Sequence, residues 1–336
     1  MDETIFCKDF KVIEKIGEGS FSTVFLAEDR DACRKLAIKK VTRTTSPTRI
    51  ANELKFLMSV QGMKNIIEIV EIVREDADVF IVFPYVKMNE FKEIVERATL
   101  SDIKHYMYGL LTALQGVHSQ GIIHRDIKPS NFLYNLETKA GYLIDFGLSQ
   151  KLEEKTEEEV KEKRRRFFFS SHSASRSSKP IASRAPGYLI RDSRPSMSAS
   201  RSGTRGFKAP EVLFRVESQT TAIDIWSAGV ILLSLLCRKY PFFTSKDDIN
   251  TMVELGTLFG DDEMRKAAKH YKRVWKSNIE ACMHPKVPFE KVVEIANPGK
   301  HQLPSSVFDL LEKMLLLKAS ERISADEALR HRFFSD

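Results

Sequence analysis

HRDIKPSN, His124 to Asn131, places an aspartate, a lysine two residues on and an asparagine five residues on in one short loop. Each suits a separate task in moving a phosphoryl group. Asp126 can accept or orient the proton of a hydroxyl, Lys128 can neutralise the group in transit, and Asn131 can offer a neutral oxygen to Mg²⁺. DFG follows at 145–147. There Asp145 suits a charged ligand for Mg²⁺ bridging phosphates, Phe146 a packing anchor and Gly147 a hinge. A turn with scattered polar residues is a poor account of two such motifs in this order.

Upstream, IGEGSFSTV (Ile16, Gly17, Glu18, Gly19, Ser20, Phe21, Ser22, Thr23, Val24) reads as a strand, a glycine turn and a second strand. Gly17 and Gly19 let the backbone approach phosphate oxygens, although an ordinary β-hairpin reads the same way in isolation. LAIK ends on Lys39, and SPTRIANELKFLMSV then reads as a helix with Ser46 as N-cap and Pro47 as its first residue. Ile50, Leu54 and Leu57 recur on one face of it, and Glu53 shares that face. A carboxylate there needs a cation, and Lys39 is the candidate; the pair would hold the lysine toward the α- and β-phosphates of a nucleotide.

FKVIEKIG, TVFLAED, KLAIKKV, IIEIVEIV and DVFIVFPYV read as strands, so the first eighty-odd residues are predicted to be β-rich with one helix. From about residue 90 the period is helical, as in LSDIKHYMYGLLTALQGVHSQG, IDIWSAGVILLSLLC and SSVFDLLEKMLLL. A small β-rich lobe and a larger helical lobe predict a cleft between them.

The 336 residues carry a net charge of +7, but residues 161–206 alone hold twelve Lys/Arg against two Asp/Glu, so the rest is mildly acidic. One basic segment on such a body points to a partner-facing element more than to a surface that tracks nucleic acid. Four scattered cysteines, Cys7, Cys33, Cys237 and Cys282, suggest neither a zinc site nor a disulfide framework. The longest apolar run, AGVILLSLLC at 228–237, is too short to span a bilayer, and a soluble intracellular protein is expected.

Together with APE at Ala209, Pro210 and Glu211, DIWSAGV from Asp224, and Arg322 in ERISADEAL, these motifs resemble the eukaryotic protein kinases from about Phe10 to Phe334. The resemblance implies an α+β, bilobal protein kinase fold, with a β-rich N-lobe at 1–84 and a mainly α C-lobe at 85–336. It implies ATP and Mg²⁺ as cofactors. Catalysis would fall to Asp126 and Lys128, and Mg²⁺ to Asn131 and Asp145. ATP would meet residues 16–24, Lys39, Glu53 and the Pro84–Val86 hinge with Val86, behind the bulky Phe83. It also implies that Asp224 secures the catalytic loop, that Glu211 pairs with Arg322, and that Lys128 after Asp126 marks the Ser/Thr class.

IGEGSFSTVF, FPYV, DIKPSNFLYN, GTRGFKAPEVL and QTTAIDIWSAGVI more narrowly resemble the cell division control protein 7 kinases. That family works with a dedicated regulatory activator subunit and phosphorylates the replicative helicase at origins. The resemblance implies protein substrates, helicase subunits among them, and a nuclear protein with the cytoplasm as a second compartment; it implies no direct nucleic-acid partner and no membrane. Ser22 stands at the third glycine position, as expected in this group. Cysteines associated with the family's activation-segment insertion are absent, so no metal role is assigned there. The alternatives are another kinase branch, casein-kinase-like or cyclin-dependent, a pseudokinase scaffold, and a nucleic-acid-binding protein.

Asp145 and Glu211 delimit an activation segment with sixty-five residues between them. It contains a basic, serine-rich insertion at about 153–202, including KEKRRRFFFSSHSASRSSKP at 161–180. Its composition favours disorder. Phe167–Phe169 would pack on the lobe or receive the activator, and Lys161–Arg166 would serve nuclear localisation. Its serines read as a solvated spacer or as autophosphorylation sites, with Arg125 able to receive one phosphate. Thr204 sits where Ser/Thr kinases place a hydroxyl that bonds the aspartate and the lysine. Arg205 and Lys208 predict a preference for an acidic or phosphorylated residue after the target serine.

Overall fold

Near the N-terminus, residues rich in β-branched and aromatic side chains form five strands: β1 (Phe10–Glu18), β2 (Ser22–Asp29), β3 (Lys35–Val41), β4 (Glu71–Glu75) and β5 (Asp78–Pro84). They form one antiparallel sheet in the order β1-β2-β3-β5-β4. The computed structural model describes residues 10–19, 22–30, 32, 34–42, 46–75, 78–152, 200, 202–298 and 303–336, and the backbone of 188–192. Phe10, Ala27, Leu36, Ile38, Phe80 and Val82 bury a small core on one face of the sheet.

Helix α1 (Pro47–Ser59) begins as the sequence predicts, with the Ser46 hydroxyl accepting from the N–H of Arg49 and proline in the first turn. The IIEIVEIV stretch departs from its prediction. Only its last residues join β4, while Ile66 and Ile67 lie in the core of the other lobe, where the N–H of Ile67 donates to the Leu143 carbonyl at 3.1 Å. Its apolar run links the two lobes instead of extending the sheet.

The larger lobe contains α2 (Phe91–Arg97), α3 (Leu100–Ser119), α4 (Pro210–Leu213), α5 (Ala222–Leu236), α6 (Asp248–His270, broken at Gly260), α7 (Phe289–Ala296), α8 (Ser305–Met314) and α9 (Ala325–Leu329). Helix α3 starts in a capping box between Thr99 and Asp102. Every residue from Ile223 to Leu236 is buried, so α5 is enclosed on all sides and passes through the centre of the lobe, with Asp224 among its few polar residues.

Two small ladders carry the motifs. β6 (Ile122–Ile123) pairs with β9 (Gln150–Lys151), and β7 (Phe132–Tyr134) pairs with β8 (Gly141–Leu143). The 124–131 loop therefore lies between β6 and β7, and DFG between β8 and β9. The strand β10 (Tyr188–Asp192) runs antiparallel to β11 (Arg273–Ser277), from Tyr188 opposite Ser277 to Asp192 opposite Arg273. The insertion is thus not uniformly irregular: YLI, the start of YLIRD, is a short run of apolar residues within a polar, serine-rich sequence, and the composition of the whole concealed it. Ser20, Phe21, Cys7, Cys33, Lys161–Arg166, Phe167–Phe169 and most of the insertion's serines lie outside the described residues. Cys237 and Cys282 are buried free thiols, and no described helix is long and apolar enough to cross a membrane.

Candidate active site

Lys39, on β3, reaches Glu53, on α1: its ammonium lies 2.5 Å from Glu53 Oε1 and 3.1 Å from Asp145 Oδ1. The cation that Glu53 requires on its half-apolar face is therefore Lys39. Burial alone would lower the lysine pKa, but the carboxylates of Asp145 and Glu53 outweigh it and hold the group above 10.5. Burial opposes the charge of Asp145 as well; the nearby Lys39 and its hydrogen bond, then His124 and the N–H of Gly147, keep that carboxyl below its usual value. A Cβ on Gly147 would come 3.3 Å from both Asp145 Oδ1 and Glu53 Oε2, so a side chain there would crowd the pair.

The catalytic loop hangs from α5. Asp224, buried, accepts from the N–H of His124 and of Arg125, each at 2.8 Å, and from His118 Nε2 at 2.9 Å. Burial would raise its pKa; the His118 contact, followed by His124, holds it low. His124 Nε2 faces the Ile144 carbonyl at 3.1 Å and its Nδ1 accepts from the N–H of Asp126 at 3.3 Å, a pattern that assigns the Nε2–H tautomer. Its ring also meets Phe146 edge-on at 5.0 Å, and Phe146 is buried as a packing anchor should be.

Around Asp126 the side chains interlock. Lys128 Nζ lies 2.7 Å from Asp126 Oδ2 and donates to Thr204 Oγ at 3.1 Å, while the Thr204 hydroxyl donates to Asp126 Oδ1 at 2.6 Å. Asn131 Nδ2 donates to the Asp126 carbonyl at 2.8 Å and to Oδ2 at 3.1 Å, which leaves its amide oxygen as the atom suited to a cation. The N–H of Ile144 donates to the Asn131 carbonyl at 2.9 Å, clipping the residue before Asp145 to Asn131. The Asn131 amide oxygen and the Asp145 carboxylate are hard oxygen donors of the kind Mg²⁺ takes; among the described residues no group of three or more His, Cys, Asp or Glu side chains could hold a metal.

In the glycine turn, Gly17 pairs with Val24 and Glu18 with Thr23, and the N–H of Gly19 donates to the Ser22 carbonyl at 2.8 Å. Ile16 is exposed on the rim. At the hinge, the N–H of Tyr85 donates to the Lys35 carbonyl, and Phe83 and Val86 pack against the large core. Glu211 and Arg322 form a buried bidentate pair, 2.8 and 3.0 Å, over Trp226. Lys208 pairs with Asp248 at 2.9 Å, and the exposed Arg205 donates to the Lys246 carbonyl.

Two contacts had no sequence signal of their own. His118 ends a helix and supports Asp224 from 106 residues away. Gln219 receives Arg125, the residue considered above for a phosphate, at 2.6 Å. His118 stands close to the loop in sequence but 106 residues from Asp224, and Gln219 stands 94 residues from Arg125, so neither contact can be read locally.

A five-stranded lobe joined to a helical one, a Lys39–Glu53–Asp145 ion cluster and a loop in which Asp126 binds Lys128, Thr204 and Asn131 are the arrangement of an ATP-dependent protein kinase. Residues 10–172 and 188–334 match the protein kinase domain model. The "Probable cell division control protein 7 homolog 1" of Encephalitozoon cuniculi is 49% identical over 324 residues, covering 96% of this chain and 91% of that protein. The "Cell cycle serine/threonine-protein kinase hsk1" of Schizosaccharomyces pombe is 36% identical over 371 residues, 97% of this chain and 72% of its own length. The Homo sapiens "Cell division cycle 7-related protein kinase" is 27% identical over 514 residues, 97% and 90%. The chain belongs to the protein kinases and, among them, to the cell division control protein 7 family of serine/threonine kinases.

Proposed function

We propose that this cell-cycle serine/threonine kinase promotes the initiation of DNA replication by phosphorylating subunits of the replicative helicase, in complex with a dedicated activator subunit. The similarity to cell division control protein 7 homologues over nearly the whole chain carries this reading. The nucleus is its place of action, a reading supported by the cation run Lys161–Arg166.

In the mechanism, residues 16–24 cover the phosphates and the Pro84–Val86 backbone receives the adenine. Glu53 aims Lys39 at the α- and β-phosphates. Asn131 and Asp145 are hard oxygen ligands of the kind Mg²⁺ takes while keeping water and phosphate oxygens, and the ion when bound there neutralises phosphate charge. Asp126 holds the substrate hydroxyl in line and accepts its proton as the oxygen bonds to the γ-phosphorus and the bond to ADP breaks. Lys128 steadies the phosphoryl oxygens, and Thr204 fixes Asp126 and Lys128 relative to each other.

Helicase subunits with ATP and Mg²⁺ should be phosphorylated by the chain co-purified with its activator, and hardly at all by the chain alone. Full activity as a lone monomer, or transfer to casein with none to the helicase subunits, would refute the replication reading while leaving a kinase.

A further inference from the structure

Gln219 lies in the turn between α4 and α5, and its side chain is buried. Its amide oxygen accepts from Arg125 Nη1 at 2.6 Å, and its amide nitrogen donates to the carbonyls of Ser200 and Val216, each at 2.9 Å. One carboxamide therefore receives a guanidinium from the catalytic loop and grips the returning end of the activation segment. Between Ser200 and Thr204, Gly203 has φ 124°, and a Cβ there would stand 3.1 Å from the Arg125 carbonyl. The segment end thus lies directly on the residue that precedes Asp126.

In kinases whose activation segment is ordered by phosphorylation, new arginine–phosphate pairs do the ordering. Here the arginine next to the proton acceptor meets a neutral side chain that is part of the fold. Removing the acceptor of the buried Arg125 Nη1–H is costly, and so is leaving the Ser200 carbonyl without its Gln219 donor. We propose that Gln219 is a positioning residue whose carboxamide takes the place of an activation-segment phosphate, holding Ser200 by the catalytic loop so that Thr204 meets Asp126 without modification of the segment. A glutamate would keep the acceptor and lose the donor; an alanine would lose both. The proposal rests on Asp126 being the hydroxyl-orienting residue.

The test uses the full kinase with its activator, a peptide with serine followed by aspartate, and ATP–Mg²⁺. Wild type treated with a broad-specificity protein phosphatase, subsequently removed, keeps its peptide kcat/KM within about twofold. Gln219→Ala loses roughly tenfold or more, the weight of a charge-assisted hydrogen bond, with its KM for ATP within about twofold of wild type. Gln219→Glu stays well below wild type. A roughly tenfold loss in phosphatase-treated wild type overturns the proposal, as does wild-type activity in Gln219→Glu, which would leave charge as the only requirement. Wild-type activity in Gln219→Ala overturns it too. Asp126→Asn, inactive in parallel, shows that the reading of the aspartate stands even if Gln219 fails; an active Asp126→Asn sinks both. Should Gln219→Ala not fold, the phosphatase and glutamate arms still decide.

Discussion

Thr204 donates its hydroxyl to Asp126 at 2.6 Å across 78 residues of sequence. The same oxygen accepts from Lys128 at 3.1 Å, so one hydroxyl joins the end of the activation segment to both chemical residues of the loop. Thr204→Ser, which keeps the hydroxyl, should retain most peptide kinase activity. Thr204→Val, which keeps the shape, should lower kcat by roughly tenfold to a hundredfold without changing the KM for ATP, because a positioning hydrogen bond is lost and the nucleotide site is not touched. Steady-state kinetics on peptide and ATP separate the two effects.

Glu53→Gln removes the carboxylate closest to Lys39 while leaving Asp145 at 3.1 Å. The lysine then leans toward Asp145, the residue proposed above as the charged oxygen donor for Mg²⁺. Activity should fall by about a hundredfold. Thermal stabilisation by ATP–Mg²⁺ should shrink as well, measured as the shift in melting temperature.

Glu211 and Arg322 are buried as an ion pair, and removing one partner leaves the other charge uncompensated. Glu211→Gln should cost about 3–5 kcal/mol in urea unfolding, whereas replacing both by apolar residues should recover part of that loss. Equal losses in the single and double variants would contradict the pairing argument.

Asp224 carries a pH signature. Its carboxyl is held below the ordinary 3.8, so its contribution is complete above pH 3.8 and is lost as pH falls through the folded value. Asp224→Asn should be roughly 2 kcal/mol less stable than wild type at pH 5 and at pH 7, with the gap closing in stronger acid. A gap that already narrows between pH 7 and pH 5 would contradict this assignment.

Substrate choice can be read from the segment end. Lys208 is engaged with Asp248, while Arg205 is exposed and holds only the Lys246 carbonyl among the contacts described. A peptide library should show preference for an acidic or phosphorylated residue after the serine. Arg205→Ala should weaken that preference by roughly tenfold, more than Lys208→Ala does. A preference for proline or an apolar residue at that position would refute the assignment.

The local chemistry was legible from sequence because short loops carry it: Asp126, Lys128 and Asn131 fall within six residues, and the partner of Glu53 followed from the cost of a carboxylate on an apolar helix face. The period of α3 and the long apolar run of α5 were equally plain. What stayed hidden depends on residues far apart in sequence. Ile66 and Ile67 look like strand residues until the second lobe claims them, and YLIRD disappears into the average of its surroundings. Gln219 has no periodicity or motif that would announce Arg125 as its partner.

The pairing of β10 with β11 makes the activation segment elastic in length. Chain inserted between β9 and β10 starts and ends on ladders that belong to the folded lobe, so its ends stay at fixed points. Doubling such a loop costs only about 0.6 kcal/mol of closure entropy. An insertion between β9 and β10 is therefore expected to leave the geometry at Thr204 and Asp126 unchanged. The Homo sapiens relative aligns over 514 positions with 97% of this chain, and so carries many additional residues within the same kinase framework.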